Sequence, residues 1–126
     1  MRSAKKIFFA FFLAGLCSFF VFGNSTSQES AAEIFEKAFY YEDVQGDLEK
    51  AIELYEQVLK QFPENREIAA KAQLRIGLCY EKLGFKEAEK AFQKVVDNYP
   101  DQTEAVKLAR EKLSILERAR AIIEEE

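Results

Sequence analysis

Histidine and tryptophan are absent from this chain, and methionine occurs only once. The missing histidine removes the commonest general base and the commonest metal ligand together. No Gly-rich phosphate loop, zinc spacing, calcium loop or Ser/His/Asp set replaces it. The expectation is therefore a non-enzymatic protein without a cofactor. Basic clusters are scarce as well. Beyond residue 23 the chain has 15 basic and 22 acidic residues, a net charge of −7. That balance argues against nucleic acid, which is bound by Lys and Arg that displace condensed counterions. At 126 residues, 48% apolar and 32% charged, the chain holds one domain at most.

Acidic residues are also missing from the front: none occurs before Glu29. Seven of the twelve phenylalanines lie between Phe8 and Phe22 instead, so the two ends of the chain differ in kind. "MRSAKK" followed by the 17-residue apolar run "IFFAFFLAGLCSFFVFG" has the form of a secretory signal peptide. Small residues favour cleavage after Gly23, with Ser25 as the alternative. Seventeen apolar residues lie at the lower limit for crossing a bilayer, so an uncleaved anchor is the competing reading. Membrane contact is expected only through this segment. A lipid anchor on Cys17 is disfavoured, because Leu16 precedes the cysteine and "SFFVFG" continues apolar after it. The expectation from this segment is export.

From Ser30 onward the apolar period is helical. "SAAE" at 30–33 has the form of a capping box, and 24–29 is left as a linker. Further helices are expected at 47–62, 66–83, 86–99 and 103 to about 124. Gly46, Pro63, Gly84 and Pro100 punctuate them, and Asp101 with Glu104 offers a second cap. Pairs such as Glu33–Lys37, Glu56–Lys60 and Glu67–Lys71 have helix-surface spacing.

The chain also matches itself. "AIELYEQVLKQFP" at 51–63 falls on "AEKAFQKVVDNYP" at 88–100 with an offset of 37 residues. The offset drifts to 38 between Gly46 and Gly84, and to 39 between Ala38–Tyr41 and Gly77–Tyr80. Single-residue differences in the turns account for that drift. Each unit has a small residue, an aromatic, Gly, Ala, an aromatic and Pro in order. These are Ala38, Tyr41, Gly46, Ala51, Tyr55 and Pro63, then Gly77, Tyr80, Gly84, Ala88, Phe92 and Pro100. The order resembles the tetratricopeptide repeat. The long unit and "FPENREIAAKA" resemble repeats of bacterial envelope proteins, among them the Tol–Pal cell-division coordinator and the outer-membrane assembly lipoprotein. "YYEDVQGDLEKAIELYEQVL" and "AAKAQLRIGLCYEKLG" also resemble a repeat module that precedes β-propeller or peptidase-like domains in exported proteins.

The resemblance implies an all-α helical solenoid of about two and a half helix–turn–helix repeats after the signal peptide, located in the periplasm or cell envelope. Its divisions are 1–23 signal, 24–29 linker, 30–63 first repeat, 64–100 second repeat and 101–126 capping helix. Gln73, at the place of a large residue, is expected to weaken the packing of its turn. The first helix of each repeat is implied to line a concave surface. There Ala32, Phe35, Glu36, Phe39 and Glu42 would sit beside Lys71, Leu74, Arg75, Leu78, Glu81 and Lys82. Phe35 and Phe39 replace the polar pair with which related repeats grip a peptide carboxylate. An apolar groove rimmed by Lys71 and Arg75 is expected, with Phe35, Phe39, Leu74 and Leu78 as its wall, unless Phe35 and Leu74 serve internal packing.

Three functions follow from that reading. The first is an exported adaptor holding a protein or peptide partner in the groove. The second is self-association through the C-terminal helix, whose Ile115, Leu116, Ala119, Ile122 and Ile123 exceed what a cap requires. The third is a redox module using Cys79. Packing is the preferred role of Cys79, since no histidine activates it and unpaired buried cysteines behave as small hydrophobes.

Overall fold

The structure is a computed structural model that describes residues 27–125 except Phe85. The expected signal segment and its cleavage bond lie outside the described residues. Among these residues five α-helices follow one another: α1 Ala31–Tyr40, α2 Leu48–Gln61, α3 Arg66–Leu83, α4 Glu87–Asn98 and α5 Thr103–Glu124. Among the described residues there is no strand. Each helix packs on the next, and α3 also touches both α1 and α5. The odd helices therefore form one layer and α2 with α4 the other.

The ends of the helices follow from local chemistry. Ser30 and Glu33 close a reciprocal capping box, with Ser30 N–H donating to Glu33 Oε2 at 2.7 Å. Glu33 is thereby spent, and Lys37 pairs with Glu29 at 3.7 Å rather than with Glu33. Asp47 caps α2 and Asn65 caps α3. Both α2 and α4 stop at an aromatic residue before proline. Phe62 and Tyr99 adopt nearly the same backbone angles, −131°/51° and −129°/49°. Asn65 and Gln102 then occupy equivalent places 37 residues apart, but only asparagine accepts from its helix. The expected cap by Asp101 is not formed. Its carboxylate is held instead by Arg66, whose Nε donates to Oδ2 at 3.0 Å. The Arg66 Nη2 also donates to the Asn98 carbonyl at 3.0 Å, which ties the α4–α5 connection to the start of α3.

One of the two extra residues in the first repeat lies inside a helix, not in a turn. After Tyr40 the coil widens into a π turn over Tyr41–Gln45 and ends at Gly46 with φ 67°. A π turn accommodates one more residue than an α turn. It absorbs the step from offset 39 to offset 38, leaving one residue for the turn itself. Gly46 and Gly84 are the two positions with positive φ among the described residues, and both close helices.

Among the described residues nine of the nineteen buried apolar side chains are alanine, so small contacts set the helix spacing. Ala38, Ala51 and Tyr55 in the first repeat and Phe92 in the second are fully buried, and Ala88 almost fully. Tyr41 and Tyr80 are half-buried against the core. Gly46, Pro63, Gly84 and Pro100 are exposed and end helices rather than pack. Gln73 does not weaken its turn. It is buried, and its Nε2 donates to the Ala91 carbonyl at 3.1 Å, linking α3 to α4. A buried amide that meets a carbonyl avoids the penalty of an orphaned polar group.

Candidate partner-binding surface

Of the wall residues expected from sequence, Phe35 turns inward. It is half-buried on the core, with its ring 5.2 Å from that of Tyr55. Phe39 and Arg75 come together, the guanidinium lying 4.8 Å from the ring centroid. Leu74 and Leu78 are half-buried against the second core cluster. The basic rim is neutralised, since Lys71 donates to Glu67 at 2.7 Å and Arg75 to Glu42 at 3.3 Å.

Glu42, expected on the open groove, is buried. Its side chain is 1% exposed and accepts from Tyr55 Oη at 2.8 Å, Lys82 Nζ at 2.9 Å and Arg75. It sits in the π turn and binds the first repeat to the second. The next repeat partly copies the contact, because Glu81 accepts from Lys112 at 3.0 Å. Glu42 and Glu81 are equivalent at offset 39, and Arg75 and Lys112 at offset 37. A ladder of ion pairs thus joins successive odd helices.

The open apolar surface lies farther along, between α3 and α5. A cleft of about 700 Å³ is lined there by Ala70, Lys71, Leu74, Ala105 and Leu108. Glu67, Asp101, Glu104 and Glu111 rim it against Lys71 and Lys107. Lys71 is already paired with Glu67 and Asp101 with Arg66. The uncompensated charge at the rim is therefore acidic. Leu108 was missed as a groove residue, although the 37-residue offset carries Lys71 onto it.

Cys79 is fully buried, and burial together with the Glu42 carboxylate pushes its thiol up to about 12. Burial and the hydrogen bond to Glu42 push the Tyr55 phenol up as well. Both groups prefer the folded state while protonated. The stability they contribute is complete below their ordinary values of 9.0 and 10.0, and it is lost as pH rises toward the folded values. The fold should hold constant from neutral pH to about pH 9 and weaken above it. Circular dichroism against pH checks this. Alkylation of Cys79 at pH 8 should require denaturant, and rapid native labelling would contradict the packing.

Among the described residues no group of three potential metal ligands occurs, and no helix is long and apolar enough to cross a membrane. Two layers of antiparallel helix pairs, stapled by repeated ion pairs and ended by one unpaired helix, define an α-helical repeat protein. A family model described as tetratricopeptide repeat matches residues 45–113, more than half of the chain. A second with the same description matches residues 10–65, part of which lies in the apolar N-terminal run. The chain belongs to the tetratricopeptide repeat family. No curated protein and no solved structure matches it. Repeats of this family generally mediate protein–protein interaction and are typically non-enzymatic scaffolds.

Proposed function

We propose that this chain is an exported adaptor of the bacterial cell envelope that seats a protein or peptide partner between α3 and α5. The observation that carries the reading is the open cleft, with Ala70, Leu74, Ala105 and Leu108 beneath a rim where, once Lys71 is paired with Glu67 and Asp101 with Arg66, Glu104 and Glu111 outnumber Lys107. Apolar contact supplies affinity and the surrounding charge selects against unsuitable partners. The partner segment would pair apolar anchors with Lys or Arg. The signal-like N-terminus supports export, and the resemblance to envelope repeats supports the compartment. The divisions expected from sequence remain part of this reading: a leader at 1–23, two repeats over 30–63 and 64–100, and a terminal cap.

The test is capture of partners from envelope extracts with the native chain and with Glu104→Lys or Leu74→Asn. Helical content, read by circular dichroism, should be unchanged in the first variant. Loss of the captured protein in both variants is expected, and an unchanged set of partners would count against this cleft. Protein sequencing of the exported product should give a start after residue 23.

A further inference from the structure

The side of α5 that a further partner helix would cover is polar, formed by Arg110, Ser114 and Glu117. Its inner side meets α4 through buried Val106 and Ala109 and half-buried Leu113 and Leu116. A third side remains open and apolar: Leu108 is 37% exposed, Ile115 49% and Ile122 64%. These three residues stand seven apart, so they form one line along the helix. Ala119 falls within that line and borders a second cleft, of about 660 Å³, lined by Ala88, Leu116 and Ile123. The line therefore differs from the surface left by a missing helix.

Beside the apolar line run Glu104, Glu111, Arg118 and Glu125, also seven apart. A two-fold interface has to be complementary to itself. When two such helices run antiparallel about Ile115, Leu108 of each meets Ile122 of the other. Glu111 then falls opposite Arg118, twice over. Like-charged Glu104 and Glu125 fall at the two outer ends of the contact.

We propose that α5 is a self-association surface on which a second copy of this chain packs its own α5 antiparallel, Ile115 against Ile115 and Glu111 against Arg118. The occupant is a second copy because the central charges, Glu111 and Arg118, exchange places when the line is reversed, which sets two opposite-charge pairs beside the buried isoleucines and leaves the like-charged Glu104 and Glu125 at the solvent-screened ends. Leu108 belongs to both this surface and the α3–α5 cleft, so self-association and partner binding compete for it.

Cross-linking of the full chain in a Cys17→Ser background tests the arrangement, with Cys79 kept in the core. A short bis-maleimide should join Ile115→Cys to itself, and Leu108→Cys to Ile122→Cys in a mixture of differently tagged chains. Leu108→Cys alone should not couple, because fourteen residues of helix separate it from its own copy by ~21 Å. Coupling of Leu108→Cys to itself, or a yield at Ile115→Cys no greater than at exposed Gln61→Cys on the other layer, overturns the proposal. So does coupling to a different protein in place of a second copy. Glu111→Arg or Arg118→Glu should each lower the Ile115→Cys yield about threefold, and the double exchange should restore it. Failure of the double exchange to recover overturns the antiparallel pairing.

Discussion

Replacing Phe92 with alanine is expected to lower the unfolding free energy by about 3–5 kcal/mol, a large part of the stability of a domain this size. Phe92 is fully buried, and its ring lies across Gly77 in the facing helix. A β-carbon at residue 77 would come within 2.5 Å of Phe92 Cε1 and 2.6 Å of Cδ1. Something must shift to admit it. Two effects then compete in Gly77→Ala. Alanine favours a helix interior by about 0.8–1 kcal/mol over glycine. Overpacking costs about 1–3 kcal/mol, so the net change is destabilising. In a Phe92→Ala background the clash disappears and the same substitution should become stabilising by up to about 1 kcal/mol. Urea denaturation of the four proteins measures the coupling. A value below about 0.5 kcal/mol would show that the ring yields freely and would sink the idea.

That contact was legible in the sequence because Gly77, Ala88 and Phe92 follow the order of Ala38, Ala51 and Tyr55 in the first repeat, at offsets of 39, 37 and 37. The helix limits were legible for a similar reason. Gly46 and Gly84 close helices in left-handed conformations, and Phe62-Pro63 and Tyr99-Pro100 end them alike. What escaped were polar contacts between residues distant along the chain. "YYEDVQGD" looks like solvated surface, since nothing nearby marks Glu42 as different from Asp43. Its partners Arg75 and Lys82 lie 33 and 40 residues away. Asp101 has the spacing of a helix cap, but an arginine 35 residues earlier takes its carboxylate. The open surface shifted for a related reason. Leu108 of α5 stands at the groove position of Lys71 one repeat on, but the change from lysine to leucine hides that equivalence. Lys71 and Arg75 read as a basic rim in sequence, and the fold sets Glu67 and Glu42 against them. Repetition shows where helices approach, whereas charge neutralisation across repeats requires the fold.

Glu42→Ala should cost about 2–3 kcal/mol, less than the 3–5 typical of breaking a fully buried ion pair. The magnitude follows from which groups are left behind. Arg75 and Lys82 are 35% and 52% exposed, so both can turn toward water when the carboxylate is removed. Tyr55 cannot, because it is fully buried and donates to Glu42. The main penalty is therefore an orphaned hydroxyl. Tyr55→Phe should cost about 1 kcal/mol in the native protein, yet recover about 1 kcal/mol in the Glu42→Ala background. Glu42→Gln keeps an acceptor and should fall between the native protein and Glu42→Ala. Equal costs for Tyr55→Phe in both backgrounds, measured by thermal and urea denaturation, would refute this account. The same substitution acts beside the partner surface, because Arg75 stands on α3 next to Leu74 and one turn from Lys71, both of which line the cleft. Without Glu42, Arg75 keeps its position beside Phe39 but loses the charge that neutralises it. A basic partner segment should then bind more weakly to Glu42→Ala than to the native chain under conditions where both are folded, while an acidic segment should gain.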